Sequence, residues 1–245
     1  SPLGHALLDR ELYLPQEWTD DRERCRQAGI PADRRFATKP QLAQQMLARA
    51  FAAGVPATWV TGDSVYGDNR PLRQWLEAQP QAYVLAVSGK ECVWLGAQQR
   101  QVKTLLASLP VEGWTRLSAG DGAKGPRWYD WRWVSLAAPV DPTWRRWLLV
   151  RRSLSEPTEL TAYVVFAPPP TTLEEVVRVA GSRWTVESAF EAAKGEVGLD
   201  QYEVRSWTAW YRHITLVMWA LALLTVMRAG TIAVEALKKS RPSPP

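Results

Sequence analysis

The chain has 245 residues, which is enough for one well-buried domain with an inserted subdomain. Its hydrophobic fraction of 46% and charged fraction of 22% are ordinary for a globular protein and exclude global disorder. The net charge of +5 weakly favours a polyanionic partner. Two widely separated cysteines and two histidines exclude a Cys/His zinc site and indicate the reduced thiols of a cytoplasmic protein.

The first third of the sequence alternates between strand and helix patterns. In chain order we predict a strand at 6–14, a loop with a short helix at 15–36, a helix between Thr38 and Gly54, a strand at 57–60, a helix at 70–78 and a strand at 83–87. Such alternation is typical of an α/β sheet with at least one parallel pair. The start at Ser1 rather than Met leads us to expect a piece of a longer protein without a signal peptide.

The pattern changes after residue 90. Tryptophans crowd onto strand-like segments at 91–161, which predicts a β-rich insertion, and helix dominates from 173 to 227 with a break near 195–198. The predicted divisions are therefore a core part at 1–90, the insertion at 91–161, a second core part at 162–229, and a basic, disordered tail at 230–245. The apolar run at 214–227 is too short to span a bilayer comfortably, so we expect a buried core helix and no membrane partner.

One stretch combines a carboxylate with two cations at helical spacing. Arg183, Glu187 and Lys194 stand at positions i, i+4 and i+11, which places all three on one face of a helix. Glu suits a metal ion, and Arg and Lys suit phosphate oxygens. The alternative interpretation is an ordinary solvated helix face with ion pairs along it.

A second carboxylate, Asp63, follows the strand predicted at 57–60. Functional groups of open α/β sheets gather beyond the carboxyl ends of strands. Two carboxylates from distant segments, Asp63 and Glu187, are what a Mg²⁺ site with oxygen ligands requires. The alternative role for Asp63 is a turn former or helix cap, which the sequence Gly-Asp-Ser also suits.

These motifs resemble those of a known family. Arg183, Glu187 and Lys194 match the Tyr-x2-Arg-x3-Glu-x6-Lys motif of bacterial insertion-sequence transposases of the DDE superfamily. The segment TGDSVYG at 61–67 is similar to the one that bears their second acidic residue, and ALLDRELYLP, EWTDD and GEVGLDQYEVRSWTAWYRHI are similar to one branch of the group. The resemblance implies an α/β, RNase H-like mixed sheet flanked by helices, with the β-rich insertion before the helix that bears Glu187. It also implies cutting and joining of DNA at transposon ends with two Mg²⁺ or Mn²⁺ ions.

The chain departs from the family pattern at two points. The position of the motif's Tyr is Ala180. The family's first Asp lies on a strand before the one predicted at 6–14, and Asp9 belongs to the following segment, so we do not assign it that role. We therefore expect this stretch alone to be inactive. A catalytically dead remnant that binds only DNA or an intact transposase remains an alternative function, and an unrelated ligand-binding α/β domain is a third.

The resemblance assigns roles to particular residues. Asp63 and Glu187 are the catalytic metal ligands, Arg183 and Lys194 hold phosphates of the transposon end, and the expected partners are double-stranded DNA and a second copy in the synaptic complex, in the bacterial cytoplasm. Basic residues of the insertion are further candidates for phosphate contacts, with Arg132, Arg145 and Arg146 foremost among Lys124, Arg127, Arg151 and Arg152. A tryptophan of the insertion could stack on a flipped base, or the tryptophans could form the insertion's own core. We expect Trp184, Trp207 and Trp210 to be packing residues.

Overall fold

The computed structural model of the chain describes residues 4–122 and 125–239. Its helices, in chain order, are α1 (Gln16–Asp20), α2 (Arg22–Gln27), α3 (Lys39–Ala52), α4 (Ser64–Gly67), α5 (Arg70–Ala78), α6 (Val102–Ala107), α7 (Leu173–Ser182), α8 (Thr185–Val197) and α9 (Trp207–Lys239). Its strands are β1 (Val60–Gly62), β2 (Tyr83–Val87), β3 (Cys92–Leu95), β4 (Gln98–Gln101), β5 (Thr115–Gly122), β6 (Gly125–Ser135), β7 (Arg145–Arg152) and β8 (Leu160–Ala167).

The chain divides into two compact units. The sheet unit comprises residues 39–183, and the helical unit comprises residues 1–38 together with 184–245. The sheet unit holds α3 to α7 and all eight strands, whereas α1, α2, α8 and α9 belong to the helical unit. The four domain divisions expected from the sequence stay a prediction.

The sheet unit is built on a six-stranded mixed sheet with the order β1-β2-β8-β7-β6-β5. Strands β1 and β2 are parallel, with Thr61 beside Val84, and the other neighbouring strands are antiparallel. Strands β5 to β7 of the predicted insertion therefore continue the same sheet as β1, β2 and β8, while β3 and β4 form a separate hairpin. The prediction of a mixed α/β sheet flanked by helices is confirmed.

Alternation along β2 explains why helices cover both faces of this sheet. Tyr83 and Leu85 belong to one buried cluster, to which α5 contributes Leu72 and Leu76. Val84, which points to the opposite face, belongs to the second cluster, where α7 contributes residues such as Val176. A strand buried on both faces reads as a continuous apolar run, and YVLAV is such a run.

Local signals account for the helix limits in the sheet unit. The Asn69 side chain accepts a hydrogen bond from the Leu72 backbone N–H at 2.9 Å and caps α5. Thr172 caps α7 in the same way, through the backbone N–H of Glu175 at 3.2 Å. Helix α3 ends just before Gly54, whose φ of +69° suits the left-handed turn that stops a helix.

The helical unit is organised around α9. Helix α8 packs against it through small side chains, with Ala189 and Ala193 buried. The break between the two helices starts at Gly198 with a φ of +69°, and the carbonyl oxygen of this glycine lies 3.1 Å from Nε2 of His213. Arg228 pairs with Glu196 at 2.8 Å and ties the two helices together farther along.

The strand expected at 6–14 is not a strand in the described part of the chain. Its polar contacts go to α9: Thr225 Oγ1 donates to the His5 carbonyl at 3.0 Å, Arg10 donates to Thr215 Oγ1 at 2.7 Å, and Tyr211 Oη accepts from the Leu12 backbone N–H at 3.4 Å. The partner of this segment is thus a helix, and the ladder that defines a strand is missing from the described residues.

The expectation of a buried core helix at 214–227 is wrong. One face of α9 packs within the unit, with Ile214, Val217 and Leu221 buried, but the opposite face is exposed and includes Trp219 at 70% exposure. The stretch Trp207–Thr231 is long and apolar enough to cross a membrane by length and composition, and only 22% of its most apolar window is buried. Helix α9 also continues to Lys239, into the region predicted as tail, and residues 240–245 lie outside the described residues.

Candidate active site

Asp63 lies at the carboxyl end of β1, where the chain turns into α4. Its backbone is extended (φ −82°, ψ −174°), and its Oδ1 accepts a hydrogen bond from the Val65 backbone N–H at 2.9 Å. Asp63 is therefore the N-cap of α4, so the alternative role proposed from the sequence is realised. Capping occupies Oδ1 of a carboxylate that is exposed to solvent, and this exposure suits a ligand for a hard cation.

Two glycines place this turn close against β2. A Cβ at Gly67 would overlap the carbonyl oxygen of Ala86, and a Cβ at Gly62 would lie 3.0 Å from the Leu85 side chain. Tyr66, between them, is half-buried, and burial together with the nearby Asp63 carboxylate raises its pKa. Asp68, the other carboxylate of the segment, accepts from the Ser88 backbone N–H at 2.8 Å and holds the loop after β2. The turn is thus rigidly supported behind an exposed Asp63.

Glu187 and Lys194 lie on α8, two turns apart, and both are exposed. They line an open groove of about 740 Å³ within the helical unit. The same groove is lined by further carboxylates and by aromatic rings, namely Glu191, Asp200, Phe190, Tyr202 and Trp210. Glu187 lies in the first turn of α8, where the positive end of the helix dipole favours a carboxylate. Glu187 and Lys194 therefore border the same groove.

Arg183 does not lie on α8, so the expectation that one helix carries Arg183 together with Glu187 is wrong. Helix α7 ends at Ser182, and Arg183 is its C-cap residue in the sheet unit. Just before it, a Cβ at Gly181 would overlap the carbonyl oxygen of Ala119, so the end of α7 packs directly on β5. Helix α8 packs against α9 instead, and the two helices are held by different partners.

The structure gives the three basic residues of the insertion different surroundings. Arg145 is exposed and hydrogen bonds to backbone carbonyls of its own turn, including that of Trp144 at 2.8 Å. Arg132 is half-buried and donates to the Glu112 carbonyl at 2.5 Å. Arg146 forms a two-pronged ion pair with Glu77, which raises the pKa of this guanidinium. Lys124 lies outside the described residues.

Most tryptophans of the insertion are packed against other side chains of the protein. Trp131 is buried, Trp133 stacks on Trp147 with ring centroids 5.0 Å apart, and Trp144 stacks on Phe166 at 4.5 Å. Two tryptophans of 91–161 are instead exposed large side chains, Trp94 and Trp128. Trp184, expected to be a packing residue, is 54% exposed at the junction before α8. Exposed rings are available for stacking, whereas the packed ones are not.

Sequence reasoning missed the carboxylates that accompany Glu187 in the groove. Glu191 follows Glu187 by four residues on the exposed face of α8, so helical spacing could have found it. Asp200 and Tyr202 had no such signal, because they reach the groove only through the loop that folds back beside α9, where the Tyr202 ring lies 5.6 Å from His213. Within residues 4–122 and 125–239, no group of three or more His, Cys, Asp or Glu side chains could hold a metal ion.

Comparison with known proteins identifies the first part of the chain. Residues 3–113 match the family described as DDE superfamily endonuclease, and this region, just under half of the chain, includes Asp63. No curated protein matches the chain. Nucleases of this superfamily act on DNA and typically use divalent metals, and the mixed sheet flanked by helices is consistent with their RNase H-like fold. Residues 3–113 are therefore similar to the DDE superfamily endonucleases, which supports a transposase-like protein.

Proposed function

We propose that this protein belongs to a DNA transposase that cleaves and transfers strands at the ends of an insertion sequence. One observation carries the proposal: an exposed Asp63 stands at the carboxyl end of a parallel strand inside the region that matches the DDE superfamily endonucleases. The Arg-Glu-Lys pattern at Arg183, Glu187 and Lys194 supports it from outside that region. A bacterial source and a cytoplasmic location are part of the same proposal.

The donor chemistry fits a divalent cation. Asp63 and Glu187 are both exposed carboxylates, which are the ligands that Mg²⁺ and Mn²⁺ prefer. When bound, such ions would activate a water or a 3′-hydroxyl and stabilise the leaving oxygen of an in-line displacement.

The cationic side chains would bind the DNA. Lys194, which lines the groove with Glu187, would hold a phosphate as a point charge, and Arg183 would hold one with two parallel hydrogen bonds. Arg145, exposed on the sheet unit, would contribute a backbone phosphate contact, whereas Glu77 already engages Arg146. Joining two transposon ends would require two copies of the protein.

The test is nicking of a DNA that carries the ends of the element, in Mg²⁺ and in Mn²⁺. It should compare this chain with the product of its gene extended upstream. Glu187→Gln should abolish metal-dependent nicking, because the amide is a far weaker metal ligand than the carboxylate. Glu191→Gln is the matched control, since Glu191 lines the same groove one helical turn away and should leave nicking intact.

Each outcome has a definite meaning. Loss of nicking in Glu187→Gln and not in Glu191→Gln supports the proposal. No nicking by either form of the protein, with salt-sensitive DNA binding retained, would favour the alternative of an inactive DNA-binding remnant. Absence of both nicking and DNA binding would refute the transposase function and its remnant alike.

A further inference from the structure

The exposed face of α9 carries a regular apolar stripe. Its members are Leu216, Trp219, Leu223, Val226 and Met227, exposed by 59%, 70%, 50%, 69% and 59%. We call this set the α9 stripe. No Asp, Glu, Lys or Arg occurs between residues 213 and 227. Contiguous apolar surface of this kind on a protein marks an interaction site.

We propose that the α9 stripe is the interface between two copies of this chain, paired as antiparallel helices. Leu216, Trp219, Leu223 and Val226 are spaced by three, four and three residues, which is the spacing of a coiled-coil seam. This spacing reads the same in both directions. A two-fold axis that crosses the stripe at the level of Leu221 therefore places Leu216 against Val226 of the second copy and Trp219 against Leu223. The stripe is thus complementary to itself.

The available area is what a dimer of modest size needs. From the sizes and exposed fractions of its five side chains, the stripe has a solvent-accessible area on the order of 600 Å² on one copy. Two copies would bury on the order of 1,200 Å², which is the lower end of specific interfaces. The small residues beside the stripe, Ala220 and Ala222, allow two helices to approach closely.

Other contacts leave the stripe open. The segment at 5–12 contacts a neighbouring face of α9, through Tyr211, Thr215 and Thr225. Helix α8 packs near the buried side, where Ile214, Val217 and Leu221 lie. The described residues of the helical unit therefore occupy the faces around the stripe and not the stripe itself.

Sedimentation equilibrium of the full chain tests the interface. The parent should be a dimer, and Trp219→Glu should raise its dissociation constant roughly 100-fold, because a charge would enter the centre of the seam. Val140→Glu is the matched control: Val140 is fully exposed in a loop of the sheet unit, and its substitution should leave the dimer unchanged. A monomeric parent, or a dimer that Trp219→Glu does not weaken, would overturn the proposal.

Disulfide formation tests the direction in a Cys92→Ser background, where the remaining Cys25 is buried. An equal mixture of Leu216→Cys and Val226→Cys should cross-link, and neither variant should cross-link well alone. Efficient cross-linking of each variant with itself would refute antiparallel pairing. Binding of a monomeric parent to phosphatidylcholine vesicles would assign the stripe to a lipid surface and overturn the proposal. None of these readouts requires nuclease activity, so the proposed function can fail without affecting this result.

Discussion

At the scale of single residues, Asp63 has one role in the structure and a second in the proposal. Its Oδ1 caps α4, and its charge would bind a metal ion. These roles make different demands, because a cap needs only an acceptor oxygen, whereas a metal ligand needs an anionic carboxylate. Asparagine satisfies the first demand and not the second.

We predict that Asp63→Asn and Asp63→Ala will both lose metal-dependent nicking but will differ in stability. Asn is as good an N-cap as Asp, while Ala should lower the free energy of unfolding by about 1 kcal/mol. Urea denaturation measures the second effect and the nicking assay the first. Nicking retained by Asp63→Asn would show that Asp63 is only a cap.

Tyr83 illustrates a buried titratable group with a purely structural role. Its hydroxyl donates to Glu77 Oε1 at 2.7 Å, and Glu77 also pairs with Arg146. Burial, and then the Glu77 carboxylate, raise the pKa of Tyr83 well above its ordinary value near 10. The folded protein therefore keeps this proton at pH values where the unfolded chain loses it.

The sign of the resulting pH dependence follows from proton binding. The stabilisation from Tyr83 is fully present below about pH 10 and declines as the pH rises above that value, because only the unfolded state releases the proton there. We predict that Tyr83→Phe will make this alkaline decline shallower, with a loss of about 1 kcal/mol at neutral pH from the missing hydrogen bond. Urea denaturation between about pH 7 and pH 11 measures both quantities. Identical slopes for the parent and Tyr83→Phe above pH 10 would contradict the prediction.

At the scale of elements, close backbone contacts fix the helices on the sheet. Gly67 sets α4 against β2, and Gly181 sets α7 against β5, since a Cβ at either position would overlap a backbone carbonyl oxygen. The Arg127 guanidinium bridges the second contact, because it donates to the backbone carbonyls of both Ala119 at 2.8 Å and Gly181 at 3.1 Å. Glycine is needed at these positions for space rather than for an unusual backbone conformation.

We predict opposite effects for alanine at two helical glycines. Gly67→Ala should lower the free energy of unfolding by about 3 kcal/mol, because a backbone oxygen cannot move aside cheaply. Gly195→Ala should raise it by about 0.5–1 kcal/mol, because a Cβ there meets nothing within 4 Å and alanine is the better helix former. Thermal and urea denaturation of the two variants test this contrast, and equal effects would refute the packing argument.

At the scale of the whole molecule, the net charge of +5 is consistent with a DNA partner, but the basic residues are not equivalent. Arg146 and Glu77 form an ion pair whose side chains are only 28% and 14% exposed. Arg145, the preceding residue on β7, is exposed. Neighbours in sequence therefore have separate roles, one in stability and the other in the surface charge available to DNA.

We predict that Arg145→Ala will weaken DNA binding without changing stability, and that Arg146→Ala will lower the free energy of unfolding by about 2 kcal/mol, because it leaves Glu77 without its cation. Fluorescence anisotropy with a DNA duplex at about 50 and 200 mM salt measures the first effect, and the slope of log K against log salt should fall by about one. Unchanged affinity and slope in Arg145→Ala would remove this residue from the DNA interface.

The sequence by itself determined the features that depend on neighbours along the chain. Helix α5 and strand β2 have the predicted bounds, since a cap, a proline and an apolar run are local signals. Helical spacing placed Glu187 and Lys194 on one exposed face, and the turn at Asp63 followed from Gly-Asp-Ser. The resemblance to the DDE superfamily is supported by the family match over residues 3–113.

Only the tertiary structure decided what depends on distant partners. Glu77 engages Arg146 across 69 positions, strands β5 to β7 of the insertion join the main sheet, and α7 and α8 pack on different elements. The apolar run of α9 predicted a buried helix because composition reports how hydrophobic a helix is. Composition does not report how many of the helix faces are covered by other elements. Local propensity acts over a few residues, whereas burial and pairing are settled by contacts that form only when the chain folds.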